Sequence, residues 1–129
     1  MNHILWEMPF PSSSLTRGPN FFALMKHECE LSFFVETEDG DAKAGIIFFG
    51  VEAYKCTYMT ARNSEMIENS YDNLVRIEGS AWLAEVTAMS SRHYERYSTI
   101  RAPLQHLMIT FDDGPCYEIV CTNFKCFLP

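Results

Sequence analysis

A chain of 129 residues with 17 acidic and 10 basic side chains has the length of one domain, read here as 1–129, and a formal charge of −7. That charge argues against a nucleic-acid partner, which needs a basic face to displace counterions from phosphate. Hydrophobic residues at 47% and charged residues at 21% exclude wholesale disorder, and no apolar run reaches the ~20 residues that cross a bilayer.

Residues 1–11 (MNHILWEMPFP) lack a cationic start, and Glu7, Pro9 and Pro11 cut their apolar stretch. They do not read as an export signal, which predicts a cytoplasmic protein. Five cysteines, an odd number without a CxxC pair, are then expected to be reduced thiols that pack as small hydrophobes.

Residues 1–20 are punctuated by Pro9, Pro11, three serines, Gly18 and Pro19, which predicts an irregular arm. Its Ile4, Leu5, Trp6, Met8 and Phe10 predict that the arm lies on the domain, with residues 4–6 as a short strand. From Lys26 the period becomes two. Cys29, Leu31, Phe33 and Val35 alternate with polar residues, the pattern of a half-buried strand, and Phe34 breaks it as a candidate second contact. The Glu38-Asp39-Gly40-Asp41 stretch is turn chemistry.

Residues 44–60 are strand-like by composition, and Gly50 marks a bulge or bend. With Ile46 and Phe48 on one face and Ile47 and Phe49 on the other, this strand is expected to be central and covered on both sides. Residues 61–73 read as a loop with at most one helical turn, and residues 74–77 as a short strand. Ser80 is a good N-cap for a helix over 81–89 whose Trp82, Val86 and Met89 cover part of a sheet. The pattern leaves open whether that helix runs on through 92–97. Two alternating runs around Asp112-Asp113-Gly114-Pro115 predict a β-hairpin over 106–122, and residues 124–128 a further strand.

Strands, one helix, then strands imply an α+β fold: a mainly antiparallel, curled sheet with one helix packed on it. The alternative is an all-β sandwich or barrel.

Little in the chain carries chemistry. His3, His27, His93 and His106 have no ligand-like spacing, and Cys121 and Cys126, five apart, should face opposite ways on a strand. No metal is therefore expected. A Cys116, His93 or His106, and Asp112 or Asp113 set lacks a Gly-rich elbow or a helix N-terminus beside the thiol. Six glycines include no phosphate-binding pattern, so no cofactor is expected. Arg92, Tyr94, Arg96, Tyr97 and Arg101 form a basic, aromatic connection whose residue types favour interfaces, although a packed loop rim accounts for them as well.

Three stretches together resemble a known group: residues 46–54 (IIFFGVEAY), 71–83 (YDNLVRIEGSAWL) and 106–120 (HLMITFDDGPCYEIV). They are similar to small bacterial proteins that carry an FxGVxAY strand, a YDxLVxIxxSxWL strand-helix entry and an HxxIxFDDxGxYEIV hairpin. Members resemble the immunity proteins of contact-dependent and polymorphic toxin systems. The resemblance spans roughly residues 30–123, rests on packing and turn patterns, and implies no catalytic residue; Pro115 departs from its hairpin turn. It implies a non-enzymatic cytoplasmic binding protein that covers a toxin's active surface. The alternatives are self-association, for instance as a homodimer, a small ligand held in a curved sheet, or an enzyme. An acidic protein suits a basic toxin domain, and Glu38, Asp39, Asp41, Asp112 and Asp113 are the expected contact residues, because turns project carboxylates into water.

Overall fold

The structure, a computed structural model, describes residues 2–97 and 100–129. Nine strands and two α-helices follow in order: β1 (His3–Glu7), β2 (Arg17–Ala23), β3 (Glu28–Thr37), β4 (Gly40–Phe49), β5 (Ala53–Thr57), α1 (Ser64–Ser70), β6 (Asn73–Arg76), α2 (Ala81–Arg96), β7 (Gln105–Thr110), β8 (Cys116–Cys121) and β9 (Asn123–Phe127). They form two sheets, β1-β6-β7-β8-β5 and β2-β3-β4-β9. Every strand pairing within them is antiparallel.

The alternation in β3 does what its period requires. Cys29, Leu31, Phe33 and Val35 are buried, and Phe34 turns to the opposite face, where Arg17 lies 4.1 Å from its ring centroid. The β7–β8 hairpin keeps the expected register, with Leu107 opposite Ile119 and Ile109 opposite Tyr117. These side chains meet Leu31, Phe33, Ile46 and Phe48 of the other sheet in one apolar core. Ile109 and Ile119 are fully buried there. Each Ile→Ala change should therefore cost about 2–5 kcal/mol in denaturant unfolding. Losses under ~0.5 kcal/mol would place the hairpin at an exposed edge.

The sequence-based picture differs from the structure at several points. The arm packs on the core and carries the expected short strand, β1, which adds to β6 as an edge strand, but its end is not irregular: from Arg17 the chain forms β2, which adds to β3. Pro19 is tolerated in β2 because β2 is the sheet edge, where a missing N–H costs no ladder bond. There is no single curled sheet and no closed barrel, but two stacked sheets with two helices. Residues 64–70 form α1, capped by Asn63, whose side chain accepts from the Met66 N–H at 2.9 Å. Met66 anchors α1 against Val75, Met108 and Cys116 on the outer face of the first sheet.

Ser80 caps α2 as expected, accepting from the Leu83 N–H at 3.0 Å, and the helix runs on to Arg96. Trp82 and Val86 face inward, but Met89 is 66% exposed, so it covers no sheet.

The run over 44–60 is two strands in different sheets, not one bent strand. Gly50, at φ +62°, passes the chain from β4 to β5. A Cβ there would lie 2.2 Å from Thr122 Oγ1. Thr122 itself carries the chain back from β8 to β9, and its N–H donates to the Phe49 carbonyl at 3.0 Å. Both crossings therefore meet at one corner. Strand β4 is central, as expected, but only Ala44, Ile46 and Phe48 of its apolar side chains are buried; Ile47 and Phe49 are half-buried, because no helix covers the second sheet. Cys121 and Cys126 do not face apart. They lie on facing sheets, and both pack on the same core. Among the described residues no helix is long and apolar enough to cross a membrane.

Candidate functional site

Strands β3 and β7 both start at the corner where β4 and β8 end and run away from it, but Phe111, beside the second acidic turn, meets Phe33 in the middle of β3 with centroids 5.7 Å apart, so the β3–β4 turn lies several residues further on. The five carboxylates of the two acidic turns differ in circumstance. Glu38 and Asp39 project from the β3–β4 turn, which Thr37 closes by donating to the Gly40 carbonyl at 2.6 Å. Asp41 faces Arg17 at 3.7 Å.

Asp112 is part of the framework. Its carboxylate accepts from the Tyr71 hydroxyl at 2.6 Å, and its N–H donates to Ser12 Oγ at 2.7 Å. Ser12 also hydrogen-bonds the Asp72 carboxylate, so the arm, the start of β6 and the hairpin turn are tied together. The bond to Asp112 pushes the Tyr71 hydroxyl up to about 12. Asp113, at φ +48°, is exposed. Glu38, Asp39 and Asp113 make no ion pair among the described residues.

A second constellation lies beneath the start of α2. His106 Nδ1 is 2.8 Å from Ser80 Oγ, and His106 Nε2 is 3.0 Å from Glu118 Oε1. Trp82 sits edge-on over the imidazole at 5.0 Å, and Lys55 Nζ lies 4.1 Å from the Trp82 ring centroid. The His106 hydrogen bond lowers the Glu118 carboxyl below its ordinary range, with Lys55 adding to the effect. Ser, His and Glu in this order are the parts of a nucleophilic relay. Here the serine oxygen also caps α2, and His106 and Glu118 are buried while Ser80 is half-buried. The arrangement fastens α2 to the sheet.

The third site gathers part of the basic, aromatic connection. Arg101 and Tyr94 both donate to Glu52 Oε1, at 3.3 and 3.2 Å. Arg101 also hydrogen-bonds Ser90 and lies 4.7 Å from the Tyr94 ring centroid. Burial first, then Glu52, pushes the Tyr94 hydroxyl up. A cleft of about 350 Å³ opens beside this pair, lined by His27, Glu52, Ser90, His93 and Tyr94. Sequence reasoning grouped Tyr94 and Arg101, but missed Glu52, which sits on the β4–β5 crossing. Arg92 and Arg96 stay on the exposed side of α2, and Tyr97 is 61% exposed.

Among the described residues no Cys-His-Asp set forms. Cys116 is buried beside Val75 and Met108, and burial pushes its thiol up to about 11, while His106 is committed to Ser80 and Glu118. No group of three or more metal-ligating side chains comes together among the described residues. Compared with known proteins, the chain matches no family, no curated relative and no solved structure.

Proposed function

We propose that the chain is a non-enzymatic binding protein of the immunity type, which covers a basic toxin domain with its acidic turns. The observation that carries this reading is the set Glu38, Asp39 and Asp113: exposed on two turns that both lead away from the Gly50–Thr122 corner, and without a cationic partner among the described residues. Asp41 and Asp112, spoken for by Arg17 and Tyr71, shape those turns more than they meet a partner.

Exposed charges of this kind act on encounter rate and are screened within ~10 Å at ~0.1 M salt. The test is association with the protein encoded beside this one, followed by stopped flow as salt is raised. Glu38→Lys, Asp39→Lys and Asp113→Lys together should slow association about tenfold at low salt and flatten its salt dependence. The unfolding midpoint should stay put, because these side chains support nothing. Equal rates and equal salt slopes, or no complex at all, would sink this reading.

Self-association has one surface in its favour. The outer face of the second sheet, with Phe34, Ile47, Phe49 and Phe127 half-buried, has no helix over it.

A further inference from the structure

The two sheets leave a seam where their edge strands β2 and β5 run side by side. Phe21 of β2 lies 5.0 Å from Tyr54 of β5 and stacks on Tyr117 of β8 at 5.2 Å, with the rings 13° from parallel. Beside these rings opens a cleft of about 420 Å³, whose walls include Pro19, Phe21, Tyr54, Tyr58, Pro115 and Tyr117. That volume falls within the ~300–1,000 Å³ of ligand pockets. In a protein of net charge −7, no carboxylate, ammonium or guanidinium lines it.

Tyr54 is 49% and Tyr58 73% exposed, large aromatic areas to leave in water. Tyr117 is the reverse, only 5% exposed. None of the three hydroxyls has a hydrogen-bond partner among the described residues. Arg62 Nε is the one fully enclosed side-chain nitrogen or oxygen there without a partner, so the Tyr117 oxygen still reaches the cleft. Burial, with Cys56 and Tyr58 adding to it, pushes that hydroxyl up to about 12, so it stays protonated as a donor. The floor of the cleft thus offers a hydroxyl donor that no protein group among the described residues satisfies.

We propose that this seam is a docking groove for a proline-rich segment of a partner protein, its rings on Phe21, Tyr54 and Tyr58 and its carbonyls accepting from the tyrosine hydroxyls. The lining selects that occupant. Uncharged walls give no purchase to an acidic or basic peptide. Unpartnered phenols ask for acceptors, and a proline-rich chain presents carbonyls while lacking N–H groups of its own. Its polyproline II conformation is already formed, so little entropy is lost on docking into an aromatic groove. Addition of a partner strand is disfavoured on the β2 side, where Pro19 removes an edge N–H. The proposal does not rest on the acidic turns.

The test titrates the full chain, 15N-labelled, with acetylated and amidated decaproline, reading backbone shifts by NMR. Saturable shifts confined to residues 19–23, 54–58 and 115–117 are expected, insensitive to salt and unchanged by the triple charge reversal, so that this result and the fate of the acidic surface separate. Tyr58→Ala, on an exposed side chain, should weaken binding about tenfold with the thermal midpoint unmoved. Tyr117→Phe, which keeps the ring, should weaken it several-fold. The proposal is overturned by no saturable shift at millimolar peptide, or by equal shifts from a glycine-serine peptide of the same length. Unaltered affinity in Tyr58→Ala also overturns it. So does preferential binding of an alternating threonine-valine peptide along β5, which would mean strand addition, or of cellohexaose, which would mean a carbohydrate site.

Discussion

Glu118→Ala is expected to lower the unfolding free energy by about 3 kcal/mol at neutral pH, the scale of removing one member of a buried pair. The side chains of His106 and Glu118 are only 6% and 9% exposed. Without the carboxylate, His106 Nε2 is left under Trp82 with no acceptor, and water has little access to replace it. His106→Leu combined with Glu118→Leu should recover much of that loss, because it removes both polar groups together.

The pair also sets an acid limit. Glu118 has a lowered pKa in the folded protein. As pH falls, the unfolded chain therefore takes up its proton first, near ~4.3. The contribution is intact above that value and is lost as pH falls through the folded-state pKa. Urea unfolding from pH ~6 down to ~3 should show wild type losing stability more steeply than Glu118→Gln. A neutral-pH cost below ~1 kcal/mol for Glu118→Ala would show that α2 is held without the pair.

Phe33→Ala should be the more damaging change, about 3–5 kcal/mol. Phe33 is fully buried and meets Phe10 of the arm at 5.9 Å and Phe111 of the hairpin at 5.7 Å, both edge-on. Truncation would open a cavity between the sheets and remove two aromatic contacts. Phe34→Ala, one residue on, should cost less than ~1 kcal/mol, since its half-buried ring loses chiefly the Arg17 contact. Similar losses for the two would mean that the open face of the second sheet is covered in solution.

Where period and capping decide structure, the sequence was readable. Strand β3, the β7–β8 hairpin and the start of α2 each carry a local rule strong enough to survive tertiary context. Strand β2 carries none: Arg17–Ala23 holds a Gly and a Pro, and becomes a strand only because β3 offers it an edge. Helix α1 is short and polar, and only Met66 shows why it settles where it does. The His106–Glu118 pair was half visible. The hairpin puts both on one face, but that face reads as solvated until α2 is known to lie over it. Of the five acidic residues expected at a contact, the turn chemistry was legible, whereas the Arg17 and Tyr71 partners come from segments 24 and 41 residues distant in sequence.

The corner shared by Gly50 and Thr122 bears on how the chain folds. The polypeptide changes layer three times, from β1 to β2, from β4 to β5 and from β8 to β9. Neither layer is therefore a contiguous stretch that can form alone: β1 must wait for β6, 66 to 73 residues away, and β4 for β9, 74 to 82 residues away. High contact order of this kind slows folding and makes it all-or-none. Strands β1 and β9, added to different layers, become ordered only when both layers close. Until β9 is in place β4 is a bare edge, so β9 completes the second sheet by sealing the strand most able to pair with another copy.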